Sequence, residues 1–273
     1  MKKKLSILLF LLLTFQGFCQ SFSLVSWNIK DLGGSKNDQE IRQMANLLRK
    51  HDLIAIQEVV AKDPRGAKAV ARLADELNRM GARWDYRVSN PTQSPSSYSS
   101  ERYAFIWKTA KLTMVGKAVL DLELVHVCWR EPYIAQFRLK GDPNPFYIVN
   151  VHSRTFDKKP EEEIAHIVTY PLRLKTDRVI IAGDFNMDET NPAWTPLYSQ
   201  GYVSALKESK TTLKRKCASG VYLNYPIDNI YFHPGFFSKI KAGKIDFVGR
   251  CASLESARNI SDHLPVYLHI SLQ

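Results

Sequence analysis

Apolar and polar residues alternate through Phe22–Ile29, the period of two expected of a strand, and the pattern closes on Asn28. Asn37, with Glu40 three residues later, forms a capping-box pattern. Ile41, Met44, Leu47 and Leu48 then recur at helical spacing. Leu53–Val59 is an apolar run that predicts a buried strand and carries Gln57-Glu58 at its end. Ala67–Met80 predicts an amphipathic helix with Val70, Leu73 and Leu77 on one face, stopped by Gly81. Further strands are predicted at Tyr103–Trp107, Tyr133–Leu139, Phe146–Val151 and Val179–Ala182. A helix interrupted by Pro171 is predicted over Glu161–Leu174, and Ile227–Phe232 and Val266–Ile270 complete the set. Strands and helices alternate in the first half and strands follow one another in the middle. This is a mixed α/β pattern, with sheets inside and helices outside.

The first 19 residues break this pattern. Lys2, Lys3 and Lys4 precede the apolar run Leu5–Phe15, and Gly17 and Cys19 follow it. That is the layout of a signal peptide, cleaved near Cys19/Gln20, and the run is shorter than the ~20 residues a spanning helix needs. The expected division is residues 1–19 as leader and 20–273 as one catalytic domain, secreted or periplasmic. No second apolar span follows, so no stable membrane association is expected; a monomer is expected as well. The 273 residues are 45% hydrophobic and 24% charged, ordinary for a globular chain. Losing the three leader lysines takes the net charge from +11 to +8, still basic enough to attract polyanions. Lys207–Lys216 and Lys239–Lys244 concentrate the positive charge; each is either a phosphate contact or a solvated face. Cys128, Cys217 and Cys251 remain after cleavage and allow at most one internal disulfide, whose partners the sequence leaves open.

Chemistry-bearing residues gather at the predicted strand ends. Asn28 stands in Ser26-Trp27-Asn28-Ile29 and Glu58 in Ile56-Gln57-Glu58-Val59. Glu101 precedes Arg102-Tyr103, and His152 stands in Asn150-Val151-His152-Ser153. Asp184 and Asn186 share Gly183-Asp184-Phe185-Asn186, Asp228 stands in Ile227-Asp228-Asn229, and Asp262 and His263 stand in Ser261-Asp262-His263-Leu264-Pro265-Val266. Any one of these is commonplace. Together they supply the acids, amides and histidines that phosphodiester cleavage needs: charge neutralisation, an activated water and a proton for the departing oxygen. Asn28, Glu58 and Asp262 offer hard oxygen ligands suited to Mg²⁺, with Mn²⁺ or Ca²⁺ as alternatives, and Asp184 and Asn186 can hold a second ion or orient phosphate and water.

Taken in order, these motifs resemble the endonuclease/exonuclease/phosphatase superfamily, closest to the deoxyribonuclease I branch, over Phe22 to Leu272. The resemblance implies a four-layer α/β/β/α sandwich, two mixed sheets face to face with helices outside. It implies a divalent-metal phosphodiesterase in which His263 is the base, oriented by Asp228, and His152 the acid, oriented by Glu101. The residues alone leave those two roles exchangeable. His51, His126, His166, His233 and His269 match no motif.

The superfamily's substrates range from DNA to sphingomyelin and inositol phosphates, so the fold does not decide among them. Arg130-Glu131-Pro132 resembles a segment whose arginine touches DNA phosphate, which points to an endonuclease acting on DNA. The alternatives are a sphingomyelinase or other small phosphodiesterase, with Phe236 and Phe237 as membrane contacts, or an inactive polyanion-binding module. The chain departs from deoxyribonuclease I at Val60, where that branch has a groove-binding arginine. It departs again at Tyr98, which sits three residues before Glu101 instead of two.

Overall fold

The computed structural model describes residues 20–93, 95 and 99–273. The leader and Tyr98 lie outside them. In chain order the elements are β1 (Ser21–Leu32), α1 (Asp38–Leu48), β2 (Leu53–Val60), α2 (Arg65–Arg79), β3 (Trp84–Val88), β4 (Glu101–Lys108), β5 (Leu112–Leu120), β6 (Tyr133–Leu139) and β7 (Phe146–His152). There follow α3 (Glu161–Ile167), α4 (Tyr170–Leu174), β8 (Val179–Asp184), α5 (Thr195–Ser199), β9 (Val203–Ser204), β10 (Leu213–Ala218), β11 (Val221–Leu223), β12 (Asp228–Phe232), β13 (Phe237–Lys244), α6 (Leu254–Ile260) and β14 (Val266–Leu272).

One six-stranded sheet has the order β13-β14-β1-β2-β4-β3 and the other β5-β6-β7-β8-β12-β9, with β10 and β11 as a separate hairpin. β1 runs parallel to β2 and β7 parallel to β8; the remaining pairs are antiparallel, so both sheets are mixed. The period of two sorts each strand. Phe22 and Leu24 of β1, Tyr103 and Phe105 of β4, Phe146 and Ile148 of β7 and Ile180 and Ala182 of β8 fill the space between the sheets. Their neighbours Val25 and Trp27 face α1 and α2. Val149, Val151 and Ile181 face the helices of the second sheet. The result is the four-layer α/β/β/α sandwich that the motifs imply.

The α1 capping box is present, with Asn37 accepting from the Glu40 amide and Glu40 from the Asn37 amide. The helix expected over Glu161–Leu174 is instead two. The break falls before Tyr170, and Pro171 opens α4 in the first-turn position where a missing N–H costs nothing. Phe236 and Phe237 are not a membrane contact. Phe237 is fully buried between the sheets and Phe236 packs against the same core. The Lys239–Lys244 segment is β13, at the edge of its sheet, where lysines commonly discourage further strand pairing. Cys217 and Cys251 form the disulfide, tying β10 to the turn before α6, and Cys128 is a buried free thiol whose titration burial pushes far up.

Candidate active site

The alternation that fills the core also builds the site. Continuing inward-facing positions toward one end of the sheets gives Asn28 on β1, Gln57 on β2, Glu101 on β4, Asn150 and His152 on β7, Asp184 on β8 and Asp228 on β12. The apolar core thus gives way to a polar layer. Gln57 Nε2 donates to Ser26 Oγ at 3.1 Å and across the sheets to Asn150 Oδ1 at 2.6 Å, while Asn150 Nδ2 donates to the Ile56 carbonyl at 3.1 Å. Beyond this layer, register sets His152 beside Asp184 and Asp184 beside Asp228 on three neighbouring strands.

Gly183 makes that pairing tight. A Cβ there would stand 1.9 Å from the Val151 carbonyl oxygen, which is backbone and cannot yield. Gly183→Ala is therefore expected to force β7 and β8 apart and to cost about 1–3 kcal/mol or more, as overpacking does. Thermal denaturation measures this, and an unchanged midpoint would mean that the strands tolerate separation.

Glu58 breaks the alternation. Leu53, Ala55 and Gln57 face inward, so Glu58 should face the helices. A register shift between Ile56 and Val59 and a left-handed backbone at Glu58 (φ 60°) turn it back toward the site. Such bulges re-aim side chains, and non-glycine residues hold this conformation only where surrounding structure imposes it. Asn28 Nδ2 donates to Glu58 Oε1 at 2.9 Å, and the Glu58 amide donates to Glu101 Oε1 at 3.2 Å.

Asp184 Oδ2 is the hub. Asn28 Nδ2 donates to it at 3.0 Å, His152 Nε2 lies 3.5 Å away and His263 Nε2 3.7 Å away. Both imidazoles thus aim one nitrogen at the same carboxylate oxygen and give the other to a separate acid. His152 Nδ1 is 2.9 Å from Glu101 Oε2, and His263 Nδ1 is 3.0 Å from Asp228 Oδ2. Those acids are held in turn: Arg130 Nε is 2.9 Å from Glu101 Oε2, and Thr211 Oγ1 donates to Asp228 Oδ2 at 2.6 Å. Asn186, also left-handed (φ 48°), donates its amide to Asp184 Oδ1 at 2.9 Å and its side chain to the Ser153 carbonyl at 3.0 Å.

His263 lies between α6 and β14, and its placement depends on residues outside any one strand. Trp27 Nε1 donates to the His263 carbonyl at 2.9 Å. Ser261 Oγ accepts the His263 amide at 3.0 Å and donates to the Asn28 carbonyl at 2.7 Å. The buried Lys36 ammonium donates to the Asn259 and Ile260 carbonyls at 2.8 and 2.9 Å, closing the end of α6. Thr211 and Lys36 carried no signal in the sequence, because their partners are far off in the chain. Ser261 did, since it opens the Ser-Asp-His motif.

The charges of this cluster are interdependent. Burial works against the His263 cation, but Asp228 and Asp184 outweigh it and raise the imidazole to about 10. His152 is also raised: burial and Arg130 oppose, and Glu101, by charge and hydrogen bond, prevails with Asp184. Glu101 is held below its usual range because His152 and Arg130 overcome the effect of burial. Asp184 goes up, chiefly through burial and then Asp228, against the pull of the two histidines.

The expected residues therefore divide. Asn28, Glu58, Glu101, His152, Asp184, Asn186, Asp228 and His263 are joined by direct contacts. Asp262, expected beside Glu58, instead pairs with Arg258 at 3.3 Å and Lys30 at 3.6 Å. Arg130, expected on substrate phosphate, stands behind Glu101 and lines a polar cleft of about 280 Å³ with Glu58. His51, among the unmatched histidines, packs against Tyr267, and burial lowers it to about 4. A cavity of about 600 Å³ opens on the other side, beside His263.

Comparison with known proteins agrees with this geometry. A "Deoxyribonuclease" of Thioalkalivibrio sp. is 28% identical over 263 residues, 90% of this chain and 70% of its own length. "Deoxyribonuclease-1-like 1" of Sus scrofa is 28% identical over 279 residues, 97% of this chain and 85% of its own. A solved endonuclease/exonuclease/phosphatase from Bacteroides vulgatus superposes with a TM-score of 0.67 at 15% identity, covering 93% of this chain and 99% of that one, a likeness of fold. Residues 25–263 match the sequence model of the endonuclease/exonuclease/phosphatase family, and the chain belongs to that family of hydrolases.

Proposed function

We propose that this chain is an exported, divalent-metal-dependent endonuclease that hydrolyses phosphodiester bonds in nucleic acid, with DNA as its main substrate. The observation that carries the reading is the pair of imidazoles converging on Asp184 Oδ2, each with its second nitrogen fixed by a carboxylate. An acid and a base flanking one anionic position is what cleavage of a phosphodiester requires. The names of the two deoxyribonuclease relatives support nucleic acid as the substrate. The sphingomyelinase alternative loses its one feature, since Phe236 and Phe237 belong to the core.

The residues suit a hard cation. Asn28 Oδ1 is buried without a hydrogen-bond partner, and Asp184, Asp228 and His263 offer ligand atoms within 4.8 Å of one another. Asn28, Glu58 and Asp184 would hold the ion, Mg²⁺ by preference for oxygen donors, and Asp262 can join only by leaving Lys30 and Arg258. When bound, the ion supplies Lewis-acid polarisation of a phosphoryl oxygen and offsets its charge. The chain's own residues do the rest. His263, in its neutral form with Nδ1–H given to Asp228, would accept a proton from water at Nε2; Asp228 and Asp184 favour its cation, so this form requires their charge to be offset. His152, with Nδ1–H given to Glu101, donates from Nε2 to the leaving oxygen. Asn186 keeps Asp184 in place through the backbone.

Export is supported by the basic start and apolar run of residues 1–19 and by the Cys217–Cys251 bond, which persists best in an oxidising compartment. Residues 20–273 then form the catalytic domain. The test is one panel on that domain: supercoiled plasmid, RNA, sphingomyelin and a sugar phosphate, each with Mg²⁺, Ca²⁺ or EDTA. Nicking of plasmid that EDTA abolishes is expected. Turnover of sphingomyelin alone, or an intact plasmid under every metal condition, would end the proposal.

A further inference from the structure

The cavity of about 600 Å³ beside His263 shares His263 and Asn186 with the site and has Asp262 on its wall. A phosphate bound between the two histidines, as proposed above, would place one of its flanking nucleosides at the mouth of this cavity. Phe156 and Tyr225 line it, 77% and 56% exposed, and they are the only aromatic rings among the described large apolar side chains that stand so far in solvent. Exposed rings gathered at one place are unusual, because burial would stabilise them. Both sit on segments anchored to the catalytic side chains. Phe156 follows His152 by four residues, and Tyr225 precedes Asp228 by three. The backbone of Tyr225 is fixed by Thr212 Oγ1, which accepts its amide at 2.8 Å, and by the Thr211 and Thr212 amides, which donate to its carbonyl at 2.8 and 3.1 Å. Lys214 and Arg215 edge the same cavity, and among the described residues neither has an acidic partner.

We infer that this cavity is a nucleotide subsite that takes one unpaired base against Phe156 and Tyr225, with the adjoining phosphate on Lys214 and Arg215. The inference rests on the nucleic-acid reading above and deepens it. A cavity of this size is in the range that encloses one small ligand, about 300–1,000 Å³. A paired base has both faces occupied by its neighbours in the stack and cannot enter without leaving the duplex, which costs stacking and pairing energy. The enzyme should therefore favour single strands, ends and unpaired stretches. Because every base has a π-face, stacking on two rings adds affinity without sequence preference. The two free cations complement the backbone charge.

The experiment uses residues 20–273 and fluorescein-labelled oligothymidylate, as a single strand and as a blunt duplex with oligoadenylate. Binding is read by anisotropy with Mg²⁺ in a His152→Ala background, and cleavage in the wild-type background. The single strand should bind more tightly than the duplex. Phe156→Ala and Tyr225→Ala should each weaken single-strand binding about tenfold and raise its KM in proportion, with much smaller effects on kcat. Phe156→Trp and Tyr225→Phe, which keep a ring, should restore both. An unchanged single-strand affinity in the alanine variants, an equal loss on single strand and duplex, or no binding by the parent protein would each overturn the subsite. Binding that depends on both rings in a protein that cuts neither substrate would leave the subsite standing and reject the nuclease reading.

Discussion

Alanine at His263 or at His152 is expected to slow plasmid cleavage by ~10²–10⁴-fold, the range for losing a general acid or base. The two side chains are placed alike, 3.7 and 3.5 Å from Asp184 Oδ2, and each has only Nε2 left for the substrate. Neither replacement should unfold the domain. Glu101 keeps Arg130 when His152 is lost, and Asp228 keeps Thr211 when His263 is lost. Because the pair acts as a unit, the double variant should be little slower than the worse single one. Single-turnover cleavage with circular dichroism as a fold control measures both statements. Near-normal rates in both variants would mean that water is activated and the leaving oxygen protonated elsewhere.

The second large effect is expected from Asp228→Asn, about 10³–10⁴-fold in kcat, the scale seen when the carboxylate orienting a catalytic imidazole becomes an amide. The substitution is isosteric and keeps the Thr211 contact available, so the loss should come from the His263 tautomer and charge. Asp228 is the largest influence raising His263 to about 10. An ordinary imidazole titrates near ~6.5. Since the folded value is the higher one, the pairing stabilises the metal-free fold fully below ~6.5, and that contribution is lost as pH rises through about 10. The wild-type midpoint in denaturant should fall over that window, and the Asp228→Asn slope should be flatter. The His263 imidazole resonance should titrate lower in the variant. It should also titrate lower in the wild type with Mg²⁺ present, because a cation neutralises Asp184, the second carboxylate raising it. Identical pH profiles for the two proteins would show that Asp228 does not hold the His263 proton.

Much of this site was legible because a strand sends alternate side chains to opposite faces. Once Phe146 and Ile148 are inward, Asn150 and His152 must be inward too. The same count carries Ile180 and Ala182 to Asp184, and Tyr103 back to Glu101. The polar residues at strand ends, read as motifs, are thus the outermost members of the stacks that form the core. Local spacing also predicted the α1 capping box. It misjudged Pro171, because a proline that interrupts a helix and one that begins the next are the same letter until the chain turns.

Other features depend on contacts between distant segments, and no local rule reaches them. Alternation would have sent Glu58 to the helices; a bulge between two paired strands turned it toward Asn28. Asp262 reads as a ligand beside its histidine, but the helical turn before it sets Arg258 four residues back, and β1 brings Lys30 alongside. Cys217 met Cys251 because the β10–β11 hairpin folds against α6. Periodicity and residue chemistry, both local, determined from sequence alone the mixed α/β pattern and the gathering of acids, amides and histidines at strand ends, and the resemblance of the ordered motifs implied the sandwich. The tertiary structure decided which carboxylate meets which cation and which rings stay in water, since long-range pairing fixes both and spacing along the chain does not encode it.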